Sequence, residues 1–320
     1  MWGYLGIDVG SVTTKLALLD ENNQLLISLY LRTQGKPIAA IQEGLKQISG
    51  QIPKDIEISG VVTTGSARYL AGVVVGADLV KNEITCHAFG AMHYVPAVQT
   101  VIEIGGQDSK IILIRNGIVT DFAMNTVCAA GTGSFLDHQA LRLGIDINCF
   151  GEQALRSKTP IRIAGRCTVF AETDMIHKQQ MGHKTQDILY GLCQALVRNY
   201  LNNVGLGKEI LPPVVFQGGV AFNLGIVRAL EENLNTSVIV PPHHETIGAI
   251  GAALLIREEM NGVKTTTKFK GFGISQASYH TSSFECKACP SLCEIAELSL
   301  DGKILARWGG RCDLWERILS

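Results

Sequence analysis

Two stretches of the chain share one arrangement of apolar and polar positions. In the first, the apolar run Tyr4 to Val9 is followed by a short polar turn and the apolar run Leu16 to Leu19. In the second, Val101 to Ile104 and Ile111 to Ile114 flank a turn of the same kind. Two apolar runs joined by a glycine-containing turn are typical of a strand, a turn and a strand. The sequence therefore predicts a first and a second β-hairpin of the same design.

The two predicted hairpins also match residue by residue around their turns. Residues 7–16 align without a gap with residues 102–111, 95 positions later. The acidic, glycine and lysine positions coincide: Asp8 with Glu103, Gly10 with Gly105, and Lys15 with Lys110. A match of this length predicts an internal duplication, with two similar α/β halves and one hairpin reaching from each half into the cleft between them.

The turn residues have the chemistry of a phosphate and metal site. Backbone N–H groups can approach phosphate oxygens where glycine removes the side chain, and hydroxyl groups add further donors. Gly105 and Gly106 lie in the second turn. The hydroxyl groups of Ser11, Thr13 and Thr14 lie in and after the first turn. Asp8 and Asp108 can hold a hydrated divalent ion beside the phosphates, because Mg²⁺ prefers a few carboxylates and several waters.

Further periodic segments predict the remaining elements of two domains. Apolar residues recur at three- and four-residue spacing, as in amphipathic helices, or form short buried runs, as in strands. The predicted helices are Pro37 to Ile48, Thr132 to Leu143, Ala171 to Met181, Thr185 to Val204, Asn223 to Leu234 and Ile247 to Met260, and the further strands are Ile56 to Thr63 and Val214 to Gln217. Gly218 and Gly219 follow the last strand, where a bare backbone can lie flat against a purine ring.

The two hairpins, the diglycine and the small residues of Glu245 to Ala252 together resemble the actin, hexokinase and heat-shock chaperone superfamily of ATPases. The resemblance implies an α/β fold in which two ribonuclease-H-like domains clamp ATP and Mg²⁺ between them. It leaves the activity open, because this superfamily includes sugar kinases, chaperones, filaments and energy-coupling ATPases.

Length and composition agree with two cores and an appendage. The chain has 320 residues, 46% of them apolar, and single cores tend to split beyond roughly 250 to 300 residues. The predicted divisions are a first ATPase lobe at 1–97, a second lobe at 98–260 whose last helix packs back on the first, a linker at 261–280 and a cysteine-rich tail at 281–320.

Charge and hydropathy argue against several classes of partner. A net charge of −1 without a run of Lys or Arg gives no electrostatic footprint for nucleic acid. No apolar stretch reaches about 18 residues, so we expect no transmembrane helix. The start of the chain lacks the basic and apolar segments of a signal peptide, and we expect a cytoplasmic protein. In that reducing compartment, nine cysteines are expected to be ligands, catalytic groups or buried small residues rather than disulfides.

Cys128 and Cys167 each come just before a predicted helix. The partial positive charge of a helix N-terminus favours an anionic ligand or cluster. Two cysteines cannot complete a four-cysteine iron–sulfur site, but a two-fold dimer that supplies two from each subunit can. The alternative is that both are small residues packed under helices.

The surroundings of these cysteines resemble one family within the superfamily. Residues 125–137 (NTVCAAGTGSFLD), 165–172 (GRCTVFAE) and 82–88 (NEITCHA) are similar to the ATP-dependent activators of 2-hydroxyacyl-CoA dehydratases. That family includes the ATPase subunits of benzoyl-CoA reductases and the reductases of double-cubane cluster proteins. The resemblance spans residues 3 to about 258, and the pairing of the two cysteine motifs is not a general ATPase feature.

The resemblance implies a homodimer with one four-iron four-sulfur cluster bridging the subunits, in which ATP turnover drives an electron to very low potential. Cys128 and Cys167 would be the cluster ligands. The implied nucleotide-binding residues are Ser11, Val12, Thr13, Thr14, Lys15, Gln107, Gly218 and Gly219. Glu245 lies where the family's late adenine-side contact falls, although His243-His244-Glu245 departs from the usual residues there.

The resemblance also implies a ferredoxin or flavodoxin as electron donor and an iron–sulfur dehydratase or reductase as acceptor. We assign Asp8 and Asp108 to the Mg²⁺ shell and Gln107 to orienting the γ-phosphate or the attacking water, with Glu103 as the alternative water-positioning group. Two other classes stay open. A small-molecule kinase of the same superfamily would need a sugar or acid site in the cleft and no cluster, and a nucleotide-switched scaffold would need no catalysis.

Three further cysteines, Cys86, Cys149 and Cys193, lack partners at ligand spacing. The neighbouring pair Cys86 and His87 could suggest a nucleophile. A buried packing role on a helix that faces the first domain is the interpretation we favour for both residues, and Cys193 falls within an apolar helix.

The tail contains four cysteines around a predicted hairpin of Ile295 to Leu300 and Lys303 to Trp308. They are Cys286, Cys289, Cys293 and Cys312. Such clusters are typical of structural zinc sites, and a second iron–sulfur cluster is the alternative. The polar segment Thr265 to Ser283 before them is interpreted as a linker. The tail looks like the segment that follows the ATPase in longer multidomain activases, which leaves open whether the chain is a piece of a longer protein.

Overall fold

A five-stranded sheet forms the first lobe of the protein, which the computed structural model describes at residues 1–125, 127–165, 167–260, 266–312 and 314–315. The strand order is β3-β2-β1-β4-β5. The strands are β1 (Trp2–Val9), β2 (Thr13–Asp20), β3 (Leu25–Arg32), β4 (Glu57–Thr64) and β5 (Leu79–Val80). Three helices accompany them: α1 (Pro37–Gln51), α2 (Arg68–Val75) and α3 (Glu83–Tyr94).

The second lobe repeats this sheet. Its strands are β6 (Thr100–Ile104), β7 (Ser109–Arg115), β8 (Ile118–Asn125), β9 (Val214–Gln217) and β10 (Val238–Ile239). The order β8-β7-β6-β9-β10 matches the first lobe strand for strand. In both lobes the second strand of the hairpin, β2 or β7, runs antiparallel to the strand on each side of it. The other two pairings of each sheet are parallel. The shared topology confirms the predicted duplication and the two-lobed α/β fold.

Six α-helices belong to the described part of this half of the chain. They are α4 (Gly133–Leu143), α5 (Ile147–Leu155), α6 (Thr168–Gln180), α7 (Thr185–Tyr200), α8 (Leu224–Leu234) and α9 (Ile247–Glu259). All but α5 correspond to a predicted helix, and the last turn predicted for α7 is the π-helix Leu201–Gly205. Helices α4 to α8 enclose the apolar core of the second lobe. Over the described residues, no helix has both the length and the apolar character needed to cross a membrane.

Helix α9 packs back on the first lobe, as predicted. Its small residues allow the backbones to touch: any side chain at Gly6 of β1 would collide with the carbonyl of Ala249. In the same way, a side chain at Gly251 of α9 would collide with the carbonyl of Cys86 on α3. Helix α9 therefore joins the first sheet to α3 through contacts that only glycine permits.

The tail forms a third sheet in the order β11-β12-β13. Its strands are β11 (Tyr279–Glu285), β12 (Glu294–Leu300) and β13 (Lys303–Trp308). The predicted hairpin is confirmed as β12 and β13, whereas β11 was not predicted. Most of its side chains are exposed and polar, so it lacks the alternation that reveals a half-buried strand.

The segment predicted as a linker, Thr265 to Ser283, contacts the first lobe in its described part. Phe269, Phe272 and Ile274 pack against the apolar core of the first lobe, and Leu298 of β12 is buried in the same core. Three apolar residues in a polar segment show no periodicity, so the anchoring was not visible in the sequence. Residues 261–265 lie outside the described residues.

Candidate functional site

The two hairpin turns close in the same way. In the first, the N–H of Gly10 donates to the carbonyl of Thr13 at 2.9 Å. In the second, the N–H of Gly105 donates to the carbonyl of Asp108 at 3.0 Å. The four residues occupy equivalent positions of the duplicated segments, so the sequence match extends to the geometry of the turns.

An ion pair crosses each hairpin next to its turn. The Lys15 Nζ atom lies 3.1 Å from Asp8 Oδ2, and the Lys110 Nζ atom lies 2.8 Å from Glu103 Oε2. Burial alone would raise the pKa of Asp8, but the charge and hydrogen bond of Lys15, together with the charge of Lys110 and other nearby groups, outweigh burial and hold that pKa below its usual range. Asp8 is therefore an ionised carboxylate at neutral pH and can bind a cation.

Lys110 is a fully buried cation surrounded by carboxylates. Besides Glu103, its Nζ atom contacts Asp108 at 3.1 Å and Glu83 of α3 at 3.5 Å. Burial opposes its charge, but Glu103 and then Asp108 and Glu83 raise the pKa of Lys110 above its usual value. The ammonium keeps the three acids close together without neutralising all of them.

Both turns line one cavity, which we call the phosphate cavity. Its lining comes from the two hairpins and from three residues outside them: Asp8, Gly10, Ser11, Val12, Thr13, Lys15, Glu103, Gly105, Gly106, Gln107, Asp108, Lys110, Ser66, Glu83 and His87. The structure thus brings the predicted hairpin residues together with one exception. The hydroxyl of Thr14 pairs with Thr33 Oγ1 at 2.9 Å in the interior, because alternate residues of a strand face opposite sides.

The charge of the phosphate cavity fits a metal–nucleotide complex better than a free nucleotide. Four carboxylates, those of Asp8, Glu83, Glu103 and Asp108, line the cavity with only two ammonium groups. A polyphosphate alone would be repelled, whereas a divalent cation bound with it would balance the charge. No three His, Cys, Asp or Glu side chains of the described residues form a ready metal site. A Mg²⁺ ion held by one or two carboxylates, phosphates and waters needs no such group.

His87 is a cavity residue that the sequence analysis interpreted as a packing residue. Its Nδ1 atom lies 2.9 Å from the amide nitrogen of Gln217, so Nδ1 accepts and the ring proton sits on Nε2. Burial, assisted by Lys110, lowers the pKa of His87 to about 3. The ring is therefore neutral at physiological pH. The available signal was its spacing of four from Glu83, which places both residues on one face of α3.

A second cavity, the nucleoside cavity, continues from the first between the lobes. It shares Val12, Gly105 and Gly106 with the phosphate cavity and has a volume of about 390 Å³, within the range of small-molecule sites. The other lining residues are Tyr30, Arg32, Gly133, Leu136, Asp137, Ile147, Asn148, Gly151, Glu152, Gly219, Val220, Phe222, Asn223 and Leu224. Its size and position fit the nucleoside of a nucleotide whose phosphates lie at the turns.

The residues predicted to contact the adenine base, Gly218, Gly219 and Glu245, do not all line the nucleoside cavity. Gly219 lines the nucleoside cavity. Gly218 is outside both linings and has a φ of 92°, and a Cβ atom there would lie 2.5 Å from the Ile104 carbonyl oxygen, so glycine is required. Glu245 is outside the lining of both cavities, and its Oε2 atom lies 3.8 Å from His244 Nδ1.

Two asparagines hold the segment that contains Cys128. The Asn125 amide donates to the Cys128 carbonyl at 2.8 Å and accepts from the Cys128 N–H at 3.0 Å. The Cys128 Sγ atom lies 4.0 Å from Asn199 Oδ1 of α7. Cys128 is half-buried and caps the short 3₁₀-helix Ala129–Gly131, which leads into α4. Thr126 of the same motif lies outside the described residues.

Cys167 is half-buried and occupies the N-cap position of α6. The same Asn199 reaches its segment, because the Asn199 amide nitrogen donates to the carbonyl of Gly165 at 2.7 Å. Three apolar side chains beside the two cysteines are exposed: Val127 by 95%, and Val169 and Phe170 by 67% each. Exposed apolar side chains therefore lie next to each of the two cysteines along the chain. Arg166 lies outside the described residues.

The cysteine segments are connected to the cleft by the start of α4. The N–H groups of Gly133 and Ser134 donate to the carbonyls of Gly105 and Gly106, each at 2.8 Å. The turn that lines both cavities is thus hydrogen-bonded to the helix that follows Cys128.

The tail cysteines lie around one end of the third sheet. Cys286 follows β11 and Cys293 precedes β12, and the Cys286 N–H donates to the Cys293 carbonyl at 2.8 Å. Cys289 and Cys312 are exposed. Hydrogen bonds from Ser291 lower the pKa of Cys289. In the described part of the tail, three thiols are not gathered in metal-binding geometry.

The remaining cysteines have the surroundings of packing residues or surface residues. Cys86 and Cys193 are fully buried. Burial raises the pKa of Cys86 to about 12 and raises that of Cys193 well above its usual value, so neither thiol ionises near neutral pH. Cys149 is exposed on α5.

Fold and site together define a two-lobed ATPase of the actin-like class. The model of the BadF/BadG/BcrA/BcrD ATPase family matches residues 5–255, which is most of the chain. The protein belongs to this family, as its two cysteine motifs predicted.

The most similar proteins include several dehydratase activators. The (R)-2-hydroxyglutaryl-CoA dehydratase activating ATPase of Acidaminococcus fermentans is 38% identical over 258 residues, covering 78% of this chain and 95% of that protein. The activator of lactoyl-CoA dehydratase of Anaerotignum propionicum is 36% identical over 261 residues, covering 79% and 97%. The solved activator of the 2-hydroxyisocaproyl-CoA dehydratase from Clostridium difficile, with bound ADPNP, has 32% identity and a TM-score of 0.73, covering 83% of this chain and 99% of that one.

Proposed function

We propose that the protein is an ATP-dependent activator, which couples ATP hydrolysis to the transfer of one low-potential electron to a partner iron–sulfur enzyme. The observation that supports this most strongly is the direct hydrogen bonding between the Gly105-Gly106 turn and the helix that follows Cys128. A kinase has no need for two half-buried thiols at helix starts, one of them in a segment that leads into a helix bonded to the nucleotide turn. The names of the similar proteins, which are dehydratase activators, agree with the proposal.

The two hairpins would bind the phosphates of ATP from opposite sides. Ser11, Thr13 and the backbone of both turns line the cavity as donors, and Asp8 and Asp108 would hold Mg²⁺ with waters. Gln107 is exposed at the second turn, and we assign it to orienting the attacking water. Glu103 is the weaker choice for that role, because its carboxylate is already paired with Lys110 at 2.8 Å.

The paired thiols fit half of a four-cysteine iron–sulfur site. Cys128 and Cys167 both stand at helix starts, where unpaired N–H groups favour an anion. A two-fold related subunit would supply the other two thiols, and the exposed Val127, Val169 and Phe170 offer apolar surface for such a homodimer to cover. A four-iron four-sulfur cluster held there supplies one-electron redox chemistry.

The proposed partners follow from the same site. A ferredoxin or flavodoxin would deliver the electron, and an iron–sulfur dehydratase or reductase would accept it. The similar proteins named above are activators of acyl-CoA dehydratases, which supports an acceptor of that kind. A cytoplasmic location is part of the proposal.

We also propose one metal in the tail, bound by Cys286, Cys289, Cys293 and Cys312. The hydrogen bond between the Cys286 and Cys293 backbones brings two of the residues side by side. Cys289 and Cys312 are exposed, so they can move towards a metal at little cost. Zinc is favoured, with a second iron–sulfur cluster as the alternative.

The thiol assignment can be tested by single substitutions. We expect Cys128→Ala and Cys167→Ala each to abolish ATP-dependent electron transfer to an acceptor dye while nucleotide binding stays nearly intact, because neither residue lines the phosphate cavity or the nucleoside cavity. Cys149→Ala, which removes another accessible thiol, should keep both electron transfer and nucleotide binding. Full electron transfer in either ligand variant contradicts the assignment, and phosphorylation of a sugar or acid would favour the kinase.

A further inference from the structure

The start of α4 is fixed to the nucleotide turn more tightly than ordinary packing requires. Ser134 donates to the Gly106 carbonyl through its backbone N–H and also through its hydroxyl. Gly133 lies so close that a Cβ atom there would be 3.0 Å from the Gly105 carbonyl oxygen. A shift of this turn on nucleotide binding therefore moves the start of α4, and the Cys128 segment lies directly before it.

Asn199 continues the connection from the Cys128 segment to the Cys167 segment. The side chain is 5% exposed, and its Oδ1 atom accepts from the Asn203 amide at 2.8 Å. A Cβ atom at Gly131 would lie 2.9 Å from that oxygen, so Asn199 fits closely against the segment after Cys128. Its amide nitrogen donates to the carbonyl of Gly165. One buried amide thus touches both segments.

We infer that Ser134 and Asn199 are positioning residues that act in series. Ser134 transmits the state of the nucleotide turn to Cys128, and Asn199 transmits the movement of the Cys128 segment to Cys167. The inference rests on the proposed function in that ATP occupies the cleft. It goes beyond that function by assigning the order in which the two thiols respond.

A second connection, at the surface, joins the helices that follow the two cysteines, α4 and α6. Glu172 of α6 pairs with Arg142 at 2.8 Å and with His138 at 3.3 Å, both on α4. The side chains of His138 and Arg142 are more than half exposed, and ion pairs of that kind contribute little. The hydrogen bonds of the buried Asn199 amide therefore connect the two cysteine segments more strongly than the ion pairs of Glu172 do. A Glu172 variant tests the second connection separately.

The test uses the cluster-free, reduced full-length chain and measures each thiol separately. The alkylation rates of Cys128 and Cys167 by N-ethylmaleimide are followed by peptide mass spectrometry with and without Mg²⁺ and ADPNP. Nucleotide binding is confirmed for each variant by calorimetry. The exposed Cys289 of the tail, in a chain first freed of tail metal with a chelator, serves as an internal control, since its rate should not depend on nucleotide.

In the unmodified chain, we expect nucleotide to change both rates by about fivefold or more, the lower end of typical couplings between two sites. Ser134→Ala should weaken the change at both thiols, and Ser134→Thr should restore it. Asn199→Ala should keep the change at Cys128 and lose it at Cys167. Asn203→Ala, which removes the amide that donates to Asn199 Oδ1 but leaves the bond from Asn199 to Gly165, and Glu172→Gln should keep both changes.

Several results would overturn the inference. The first is that bound nucleotide leaves both alkylation rates of the unmodified chain unchanged. The second is that Asn199→Ala keeps, or loses, the effect of nucleotide at Cys128 and Cys167 together. The third is that Glu172→Gln loses the effect of nucleotide at Cys167. If Asn199→Ala does not fold, Asn199→Ser keeps a polar group at the site and gives the same comparison. The iron content of the anaerobic protein tests the proposed function independently, so failure of one does not imply failure of the other.

Discussion

At the residue scale, the acids of the two turns are distinguished by their partners. The sequence match predicted that Asp8 and Glu103 are equivalent, and both form an ion pair with the lysine across their hairpin. The alignment could not show that Glu83 of α3 joins the second lysine, because that contact depends on how helix and hairpin pack. Thr14 is a similar case. Its residue type did not reveal that the hydroxyl faces the interior, where it pairs with Thr33, rather than the phosphate cavity.

The metal role of Asp8 gives a direct prediction. Asp8→Asn keeps the size of the side chain but removes the charge that binds Mg²⁺, so we expect Mg²⁺-dependent ATP hydrolysis to fall by at least about tenfold. Iron bound at the paired thiols should be unaffected. Asp55→Asn, at an exposed position before β4, is the matched control. An unchanged hydrolysis rate in the Asp8 variant would remove this residue from the metal shell.

His87 predicts a pH dependence of stability. Its pKa in the folded chain is about 3, against an ordinary value of 6.5, so below pH 6.5 the unfolded chain binds the proton and the folded chain does not. Stability should therefore fall as the pH drops through this window, by up to about 1.4 kcal/mol per unit. In His87→Gln the loss between about pH 7 and pH 5.5 should be smaller by about 1 kcal/mol. Urea unfolding measures this difference.

The matched control for that experiment is His93→Asn, at the exposed end of the same helix. Its loss of stability over the same pH range should equal that of the unmodified chain. Equal losses in the His87 variant and the unmodified chain would mean that His87 is not held neutral by burial.

At the element scale, the hairpins and the long helices could be predicted because their apolar periodicity is strong. Helix α8 begins after Asn223, whose side chain accepts from the N–H groups of Gly225 and Ile226, a signal present in the sequence. Strand β11 could not be predicted, since it is held by pairing with β12 rather than by its own apolar face. The close packing of α9 was visible only as a run of small residues.

That packing predicts a large effect from one methyl group. Gly251→Ala would force the new Cβ atom onto the carbonyl of Cys86, so α9 and α3 must separate. We expect a loss of at least about 2 kcal/mol in the free energy of unfolding, measured by urea denaturation. Gly50→Ala, at an exposed helical position with open space around it, should instead gain up to about 1 kcal/mol. Equal stability of the two variants would contradict the described contact.

At the scale of the whole molecule, the tail sheet packs against the first lobe. Leu298 is buried in the first-lobe core, and Tyr279 donates to the carbonyl of Val74 on α2. The sequence predicted the hairpin of the tail but not this attachment, because its apolar residues are few and widely spaced. The tail metal must therefore be tested in the full chain.

We expect the full chain to bind one metal ion or cluster in the tail, measured by elemental analysis after reducing purification. The double variant Cys286→Ala and Cys289→Ala should lose that metal and keep the iron at Cys128 and Cys167. Zinc would support the structural site, and extra iron with sulfide would replace it by a second cluster. Identical metal content in the variant and the unmodified chain would exclude a tail site.

The central claim is that two chains share one redox cluster through Cys128 and Cys167, and anaerobic iron and sulfide analysis of the intact protein tests it most directly. One four-iron four-sulfur cluster per dimer corresponds to about two iron and two sulfide ions per chain. We predict this content in the unmodified chain, after subtraction of any iron in the tail, and its loss in Cys128→Ala and in Cys167→Ala. Near-zero iron in an intact, anaerobically purified dimer, or full iron in either variant, would contradict the claim.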